Sequence, residues 1–292
     1  MQREIVYIIP PEYGGKKLIA FLRGAVGVSV RTMAKLKADP EGLMRNGEHI
    51  RTIDLLRAGD ELRIRMPEEK GGIAPALPVD LDVVYEDADV LLINKPGNLA
   101  VHPTHNHQGD TLANQVAGYL AAKGSAGVFR AVGRLDKTTS GLVLCALNKH
   151  AAFRLSGNYE KEYLALVAGA FRGTGTIDRP IYRPDPGKTL RAAGDHGDPA
   201  VTHWECLASN GAFSLMRVRL ETGRTHQIRV HFSSVGAPLL GDEMYGGSTE
   251  AIGRAALHCE KIRFIHPVTG ETLSFAAPPP ADMQRLIDTL NN

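Results

Sequence analysis

A carboxylate set between two cations, at the entrance to a buried strand, is the first place in this chain where side chains could do chemistry. The segment Gly133-Arg134-Leu135-Asp136-Lys137-Thr138-Thr139-Ser140-Gly141 runs directly into apolar Leu142-Val143-Leu144-Cys145-Ala146. Adjacent positive charge favours the ionised form of Asp136, and a turn rooted in a strand fixes its place, so it could act as nucleophile or base. Taken alone it also fits a backbone cap, since Asp in a Thr/Ser/Gly-rich turn is more often a cap than a catalyst. In a second segment, Lys161 to Val167, Tyr163 opens an apolar strand. A phenol there can stack on a base and handle a proton, or be half-buried in a sheet. The third segment, Glu221 to His231, gathers two Arg and two His behind a Gly turn. Read as a strand, it puts Gln227, Arg229 and His231 on one side and Ile228 and Val230 on the other. Arginines so placed could pair with phosphate or carboxylate, or form a solvated basic face. His102, His105 and His107 place three imidazoles within six residues. No Cys or carboxylate cluster accompanies them, so no functional metal is expected.

These segments need a scaffold, and 292 residues with 43% hydrophobic content can supply a large domain and a small one. A formal charge of only +2 excludes a uniformly basic nucleic-acid binder, so any basic footprint is local. Cys145, Cys206 and Cys259 are widely spaced and include no CxxC pair, which fits a reducing compartment. No apolar stretch approaches the roughly 20 residues of a bilayer span, and Met1 to Pro10 lacks a signal-peptide pattern, so a cytoplasmic, non-membrane protein is expected.

Ile5 to Ile9 reads as a strand stopped by Pro10-Pro11. Leu18, Phe21, Leu22 and Val26, then Met33 and Leu36, recur at helical spacing with a break near Gly27 to Val30, which predicts two short helices. Lys16, Lys17, Arg23, Arg31, Lys35 and Lys37 lie across them with no Asp or Glu between. An Asn46-Gly47 turn leads to strand-like stretches at 50–53 and 59–64. Residues 67–80, rich in charge, Gly and Pro, read as a linker between a domain at 1–66 and one at 81–292. In the second, strands are expected at 83–85, 90–94, 141–147, 163–167, 201–207, 213–220 and 261–265, and a helix capped at Asp110. A short terminal helix follows the surface run Ala277 to Pro280. Strands outnumber helices there, so the expected class is α+β on a large mixed or antiparallel sheet.

Together and in order, the motifs resemble those of the RluA family of pseudouridine synthases over residues of about 81 to 280. They comprise Asn94-Lys95-Pro96-Gly97, Val101-His102-Pro103, the Arg-Leu-Asp-x-x-Thr-Ser-Gly core, Lys161-x-Tyr163 and Gly223-Arg224-Thr225-His226-Gln227-Ile228-Arg229. Pro238-Leu239-Leu240-Gly241-Asp242 and Leu257-His258 complete the set. The resemblance implies a cofactor-free isomerisation of uridine in ribosomal or transfer RNA. Asp136 would be the catalytic carboxylate, Tyr163 the aromatic residue against the base and Arg229 the partner of Asp136. Arg134, Thr139, Arg224, His226, Gln227 and His102 would meet the substrate. One position departs: the family commonly has His where this chain has Gly133. The first 66 residues resemble a diverged S4-type RNA-binding domain, with Lys16-Lys17-Leu18 in place of the usual Arg-Leu-Asp; the six cations would be its RNA face. A monomer is the default expectation. The alternatives are a catalytically silent RNA-binding protein and a nucleoside or glycoside hydrolase, which ordinarily needs two carboxylates flanking the bond.

Overall fold

Two sheets of different size divide the chain. The computed structural model describes residues 3–67, 72–76, 80–104, 108–125 and 128–290. The smaller sheet comprises β1 (Arg3–Ile8), β2 (Leu43–Arg45), β3 (Glu48–His49) and β4 (Glu61–Met66), antiparallel in the order β1-β4-β2-β3. Helices α1 (Leu18–Gly24) and α2 (Val30–Ala38) cover it. Their apolar spacing buries Leu18, Phe21, Leu22, Met33 and Leu36 in one core with Leu62 and Ile64. The expected break falls between them, where Gly27 has φ +74 and Ser29 caps α2 by accepting from the Thr32 N–H. Asn46 and Gly47, with φ 50 and 86, form the tight hairpin turn. The stretch at 50–53 is a turn and not a strand, closed by the Asp54 N–H on the Arg51 carbonyl at 3.0 Å. All six expected cations of this unit are exposed.

The larger sheet begins with β5 (Val83–Glu86), β6 (Val90–Lys95), β7 (Arg130–Val132), β8 (Ser140–Ala146), β9 (Tyr159–Ala168) and β10 (Thr174–Asp178). A separate pair, β11 (Ile181–Tyr182) and β12 (Ala192–Ala193), precedes β13 (Val201–Ser209), β14 (Phe213–Leu220), β15 (Leu257–Ile265) and β16 (Thr272–Ala276). The path is β10-β13-β14-β9-β15-β8-β6-β5, with β16 beside β15 and β7 beside β8. Among the described residues only β8 and β15 pair in parallel. Every residue of β8 is buried, as expected of a continuous apolar run in mid-sheet. Helices α3 (Leu112–Ala122), α4 (Lys149–Leu155), α5 (Gln227–Ser234) and α6 (Ala281–Asp288) complete the fold.

Two further expectations need correction. The cap of α3 is Thr111, not Asp110; its side chain and that of Asn114 form a reciprocal capping box. Residues 227–231 are helical, so the side shared by Gln227, Arg229 and His231 does not exist. The linker is docked where it is described: the Ala76 N–H meets the Asn114 carbonyl at 2.9 Å, and the Asn114 amide meets the Ala74 carbonyl at 2.9 Å. Contacts also join the two units. Arg3 pairs with Asp89, the Tyr7 hydroxyl meets His150 Nε2 at 3.1 Å, and Arg154 donates to the Ala25 carbonyl at 2.9 Å. The cysteines are free, and among the described residues no helix is long and apolar enough to cross a membrane.

Candidate active site

The turn that carries Asp136 ends at β8, and Gly141 shows why the chain needs glycine there. Its φ is +107, and a Cβ would come 2.3 Å from the Cys259 carbonyl oxygen on β15. The turn closes through the Thr139 N–H on the Asp136 carbonyl at 3.2 Å. Two buried cations then grip its next two carbonyls. Lys95, 1% exposed, donates to Lys137 O at 3.3 Å as well as to Pro96 O at 2.8 Å and Leu99 O at 2.9 Å. Arg254, 5% exposed, donates to Thr138 O at 3.1 Å and is held by Asp282 of α6 at 2.7 and 2.9 Å. Gly97 makes room for it, since a Cβ there would sit 2.5 Å from Arg254 Cδ. The C-terminal helix, to which the sequence assigns no role, thus supports the Asp136 turn.

Helix α5 presents Arg229 to two carboxylates. Its Nε and Nη2 bind Asp242 in a fork, both at 2.7 Å, while Nη1 reaches Asp136 Oδ2 at 3.5 Å. The expected pair with Asp136 is present, but Asp242 is the closer partner and sets the guanidinium's orientation. The Tyr245 ring lies 5.0 Å from the guanidinium carbon, and its hydroxyl meets His226 Nδ1 at 2.8 Å. His226 Nε2 is 3.9 Å from Asp136 Oδ1. Burial lowers the His226 pKa against the opposing pull of Asp136, which keeps the ring neutral at pH 7. Burial pushes the Tyr163 phenol well above its ordinary range, with smaller contributions from neighbouring groups including Asp136. Tyr163 is therefore a neutral phenol at pH 7.

A cavity of about 930 Å³ opens over this group. Asp136, Tyr163, Arg229, Arg134, Thr139, Arg224, His226 and Gln227 all line it. Its wall carries seven Lys and Arg against four Asp and Glu, which suits a polyanion. Arg134 and Arg224 are exposed at its rim. Among the described residues the buried Thr138 and Thr139 hydroxyls have no hydrogen-bond partner. Gln227 is spent within the protein: it accepts from Thr222 and from the Arg224 N–H, both at 2.9 Å, and donates to Val201 O at 2.9 Å. His231 is likewise internal, bonded to Thr202 and Arg179. His102 is exposed and absent from the cavity wall, packed edge-on to Phe129 at 5.5 Å. His105 and His107 lie outside the described residues. Elsewhere Asp87, Asp89 and His266 stand close together, but His266 is bonded to Asp87 at 2.7 Å, and Asp89 is held by Arg3 and Asn148. Tyr245, Arg254 and Asp282 escape sequence reasoning, because nothing local links them to Asp136.

A family model described as RNA pseudouridylate synthase matches residues 89–234. The chain is 39% identical over 276 residues to the uncharacterized RNA pseudouridine synthase YjbO of Bacillus subtilis, covering 92% of this chain and 98% of that one. It is 35% identical over 305 residues to the ribosomal large subunit pseudouridine synthase D of Xanthomonas campestris, covering 97% and 91%. The solved structure of human RNA pseudouridylate synthase domain containing 1 aligns with TM-score 0.56 and 26% identity over 73% of this chain and 95% of that one.

Proposed function

The chain belongs to the RNA pseudouridylate synthase family, and from that premise we propose how its own residues isomerise uridine. Pseudouridine formation breaks the N1–C1′ bond, turns the uracil while it is held, joins C5 to C1′ and moves the C5 proton to N1; nothing is oxidised and no cofactor is consumed. Asp136 supplies the carboxylate, either attacking C1′ or taking a sugar proton to give a glycal. The observation that carries this is its position: 14% exposed on the cavity wall, with the Arg229 Nη1 at 3.5 Å and the turn pinned from behind. Arg229 orients the carboxylate and is itself held by Asp242. Tyr163, a neutral phenol, packs against the base and can donate a hydrogen bond; burial makes it a poor acceptor of protons by way of a phenolate. The uridine is flipped out of its RNA into the cavity, with Arg134 and Arg224 on its phosphates and Thr139 and His226 beside it.

The substrate is ribosomal RNA of the large subunit, a reading supported by full-length similarity to proteins named for it. Residues 1–66 form an S4-like RNA-binding domain, 67–80 the connection and 81–292 the catalytic domain, acting as a monomer in the cytoplasm without a metal. Lys16, Lys17, Arg23, Arg31, Lys35 and Lys37 are its phosphate face. A hydrolase is disfavoured because the second carboxylate that Arg229 contacts, Asp242, is 2% exposed and held by the guanidinium fork, so it is not free to activate water. The test is to map pseudouridine in ribosomal and transfer RNA from cells lacking the gene, then add purified protein. Restoration of a missing large-subunit site by the natural protein and not by Asp136→Asn supports the reading. Restoration only in transfer RNA overturns the substrate, and restoration by Asp136→Asn overturns the role of Asp136.

A further inference from the structure

The floor of the cavity continues outward from Tyr163 along β9. Alternation turns Tyr159, Lys161 and Tyr163 to one face of the strand, and all three line the cavity. At about 3.3 Å per residue, Tyr159 stands roughly 13 Å from Tyr163. A uracil held at Tyr163 does not extend that far, so whatever Tyr159 meets in the cavity lies beyond the uracil ring.

Tyr159 also fills a volume that the Asp136 loop leaves open. Gly133 has φ +70, and a Cβ built there would come 2.4 Å from the Tyr159 hydroxyl oxygen. The space beside Arg134 that a side chain at 133 would occupy is thus taken from β9 instead. Lys161 fixes this arrangement: its ammonium donates to Gly133 O at 2.7 Å and lies 5.4 Å from the centre of the Tyr159 ring. Among the described residues no hydrogen bond engages the Tyr159 hydroxyl, although the ring is half-buried. Burial raises its pKa, so it offers both a donor and an acceptor at neutral pH. A fixed phenol with a free hydroxyl, in a wall otherwise rich in cations, can bind a base edge or a ribose, whereas the cations bind phosphate.

We propose that Tyr159 is a substrate-contacting residue, whose hydroxyl hydrogen-bonds the nucleotide flanking the flipped uridine and so helps select which uridine is modified. This rests on the reading of the cavity as the uridine pocket. The probe is ribosomal RNA purified from cells lacking the gene, used to measure affinity, saturated single-turnover rate and thermal midpoint for each variant. Tyr159→Phe should weaken affinity about fivefold, the scale of one neutral hydrogen bond, with rate and midpoint unchanged. Tyr159→Ala, which also removes the ring, should weaken it about tenfold or more. Gly133→Ala should weaken affinity as Tyr159→Phe does, because its methyl displaces the hydroxyl without removing it, and should also lower the thermal midpoint, because φ +70 strains a residue with a Cβ. Unchanged affinity in both Tyr159 variants overturns the proposal. So does a fall in thermal midpoint and saturated rate at constant affinity, which would mark Tyr159 as packing alone. If the natural protein leaves this RNA unmodified, the substrate reading fails separately, and the same variants are then measured on transfer RNA from those cells, where unchanged affinity again overturns the role of Tyr159.

Discussion

The two units of this protein use positive charge in opposite ways. In the N-terminal unit Lys16, Lys17, Arg23, Arg31, Lys35 and Lys37 stand in solvent around an apolar core. In the catalytic unit Lys95, Arg229 and Arg254 are 1%, 4% and 5% exposed, and each points its donors at carbonyls or carboxylates of one small region. An exposed cation acts at a distance, is screened by salt and tolerates a displaced partner. A buried cation costs desolvation unless its hydrogen bonds are filled, so it enforces geometry. On the proposed reading the exposed set captures RNA, while the buried set holds the Asp136 turn in place.

The largest effect expected is from Asp136→Asn. Turnover should fall on the order of 10⁴-fold or more, with RNA affinity and thermal midpoint retained, as read by single-turnover assay and filter binding. Substantial remaining turnover would remove the central residue from the mechanism. Next, Arg229→Ala strands the Asp242 carboxylate in the interior and should cost about 3–5 kcal/mol in urea unfolding. Arg229→Lys keeps charge but loses the fork, so it should lose activity more than stability. Equal behaviour of the two would mean that the fork does not matter.

Lys95 gives a pH test. Burial, assisted by Arg254 and opposed by Asp136, pulls its pKa from the ordinary 10.5 to about 7. Between those values the unfolded chain holds a proton that the folded chain lacks, so this residue makes stability rise with pH, by at most about 1.4 kcal/mol per unit. Lys95→Met removes that slope. The unfolding free energy of the natural protein minus that of the variant should therefore grow between about pH 7.5 and about pH 9.5, and a flat difference would contradict the burial argument. The smallest effect belongs to the exposed set. Neutralising Lys16, Lys17 and Lys35 should weaken RNA binding and lower the salt slope by about 0.7–0.9 for each phosphate no longer neutralised, leaving the saturated rate unchanged. A changed saturated rate would mean that the two units do not divide the work in this way.

Local patterns make much of the scaffold legible. β6 and β8 are continuous apolar runs, Asn46-Gly47 can hardly be anything but a tight turn, and α1 and α2 show their periodicity plainly. Helix α5 reads as a strand because Gln-Ile-Arg-Val-His alternates like one. The helix is buried over residues 227–232, so no polar stripe marks its outer face, and the polar side chains that break the pattern are satisfied by distant partners. At seven residues, α4 is too short for its period to show. Within the site, motif order points to Asp136, Tyr163 and Arg229. The support from Arg254 and Asp282 has no local signature, because it depends on Arg254 reaching a carbonyl 116 positions away.

The parallel contact of β8 with β15 has a consequence for the protein's biosynthesis. It brings Ser140 Oγ to 3.0 Å from His258 Nδ1 across 118 residues, while Arg254 meets the Asp136 turn across 116. Such long closures are slow to form. Arg254 in turn awaits Asp282, a further 28 residues along the chain. Synthesis runs from the N-terminus, so Asp136, Tyr163 and Arg229 leave the ribosome before either member of that buried pair. For that interval the nascent chain holds Asp136, Tyr163 and Arg229 without the Arg254–Asp282 pair that holds the Asp136 turn from behind. The Asp136 turn is fully framed only once residue 282 has emerged and docked.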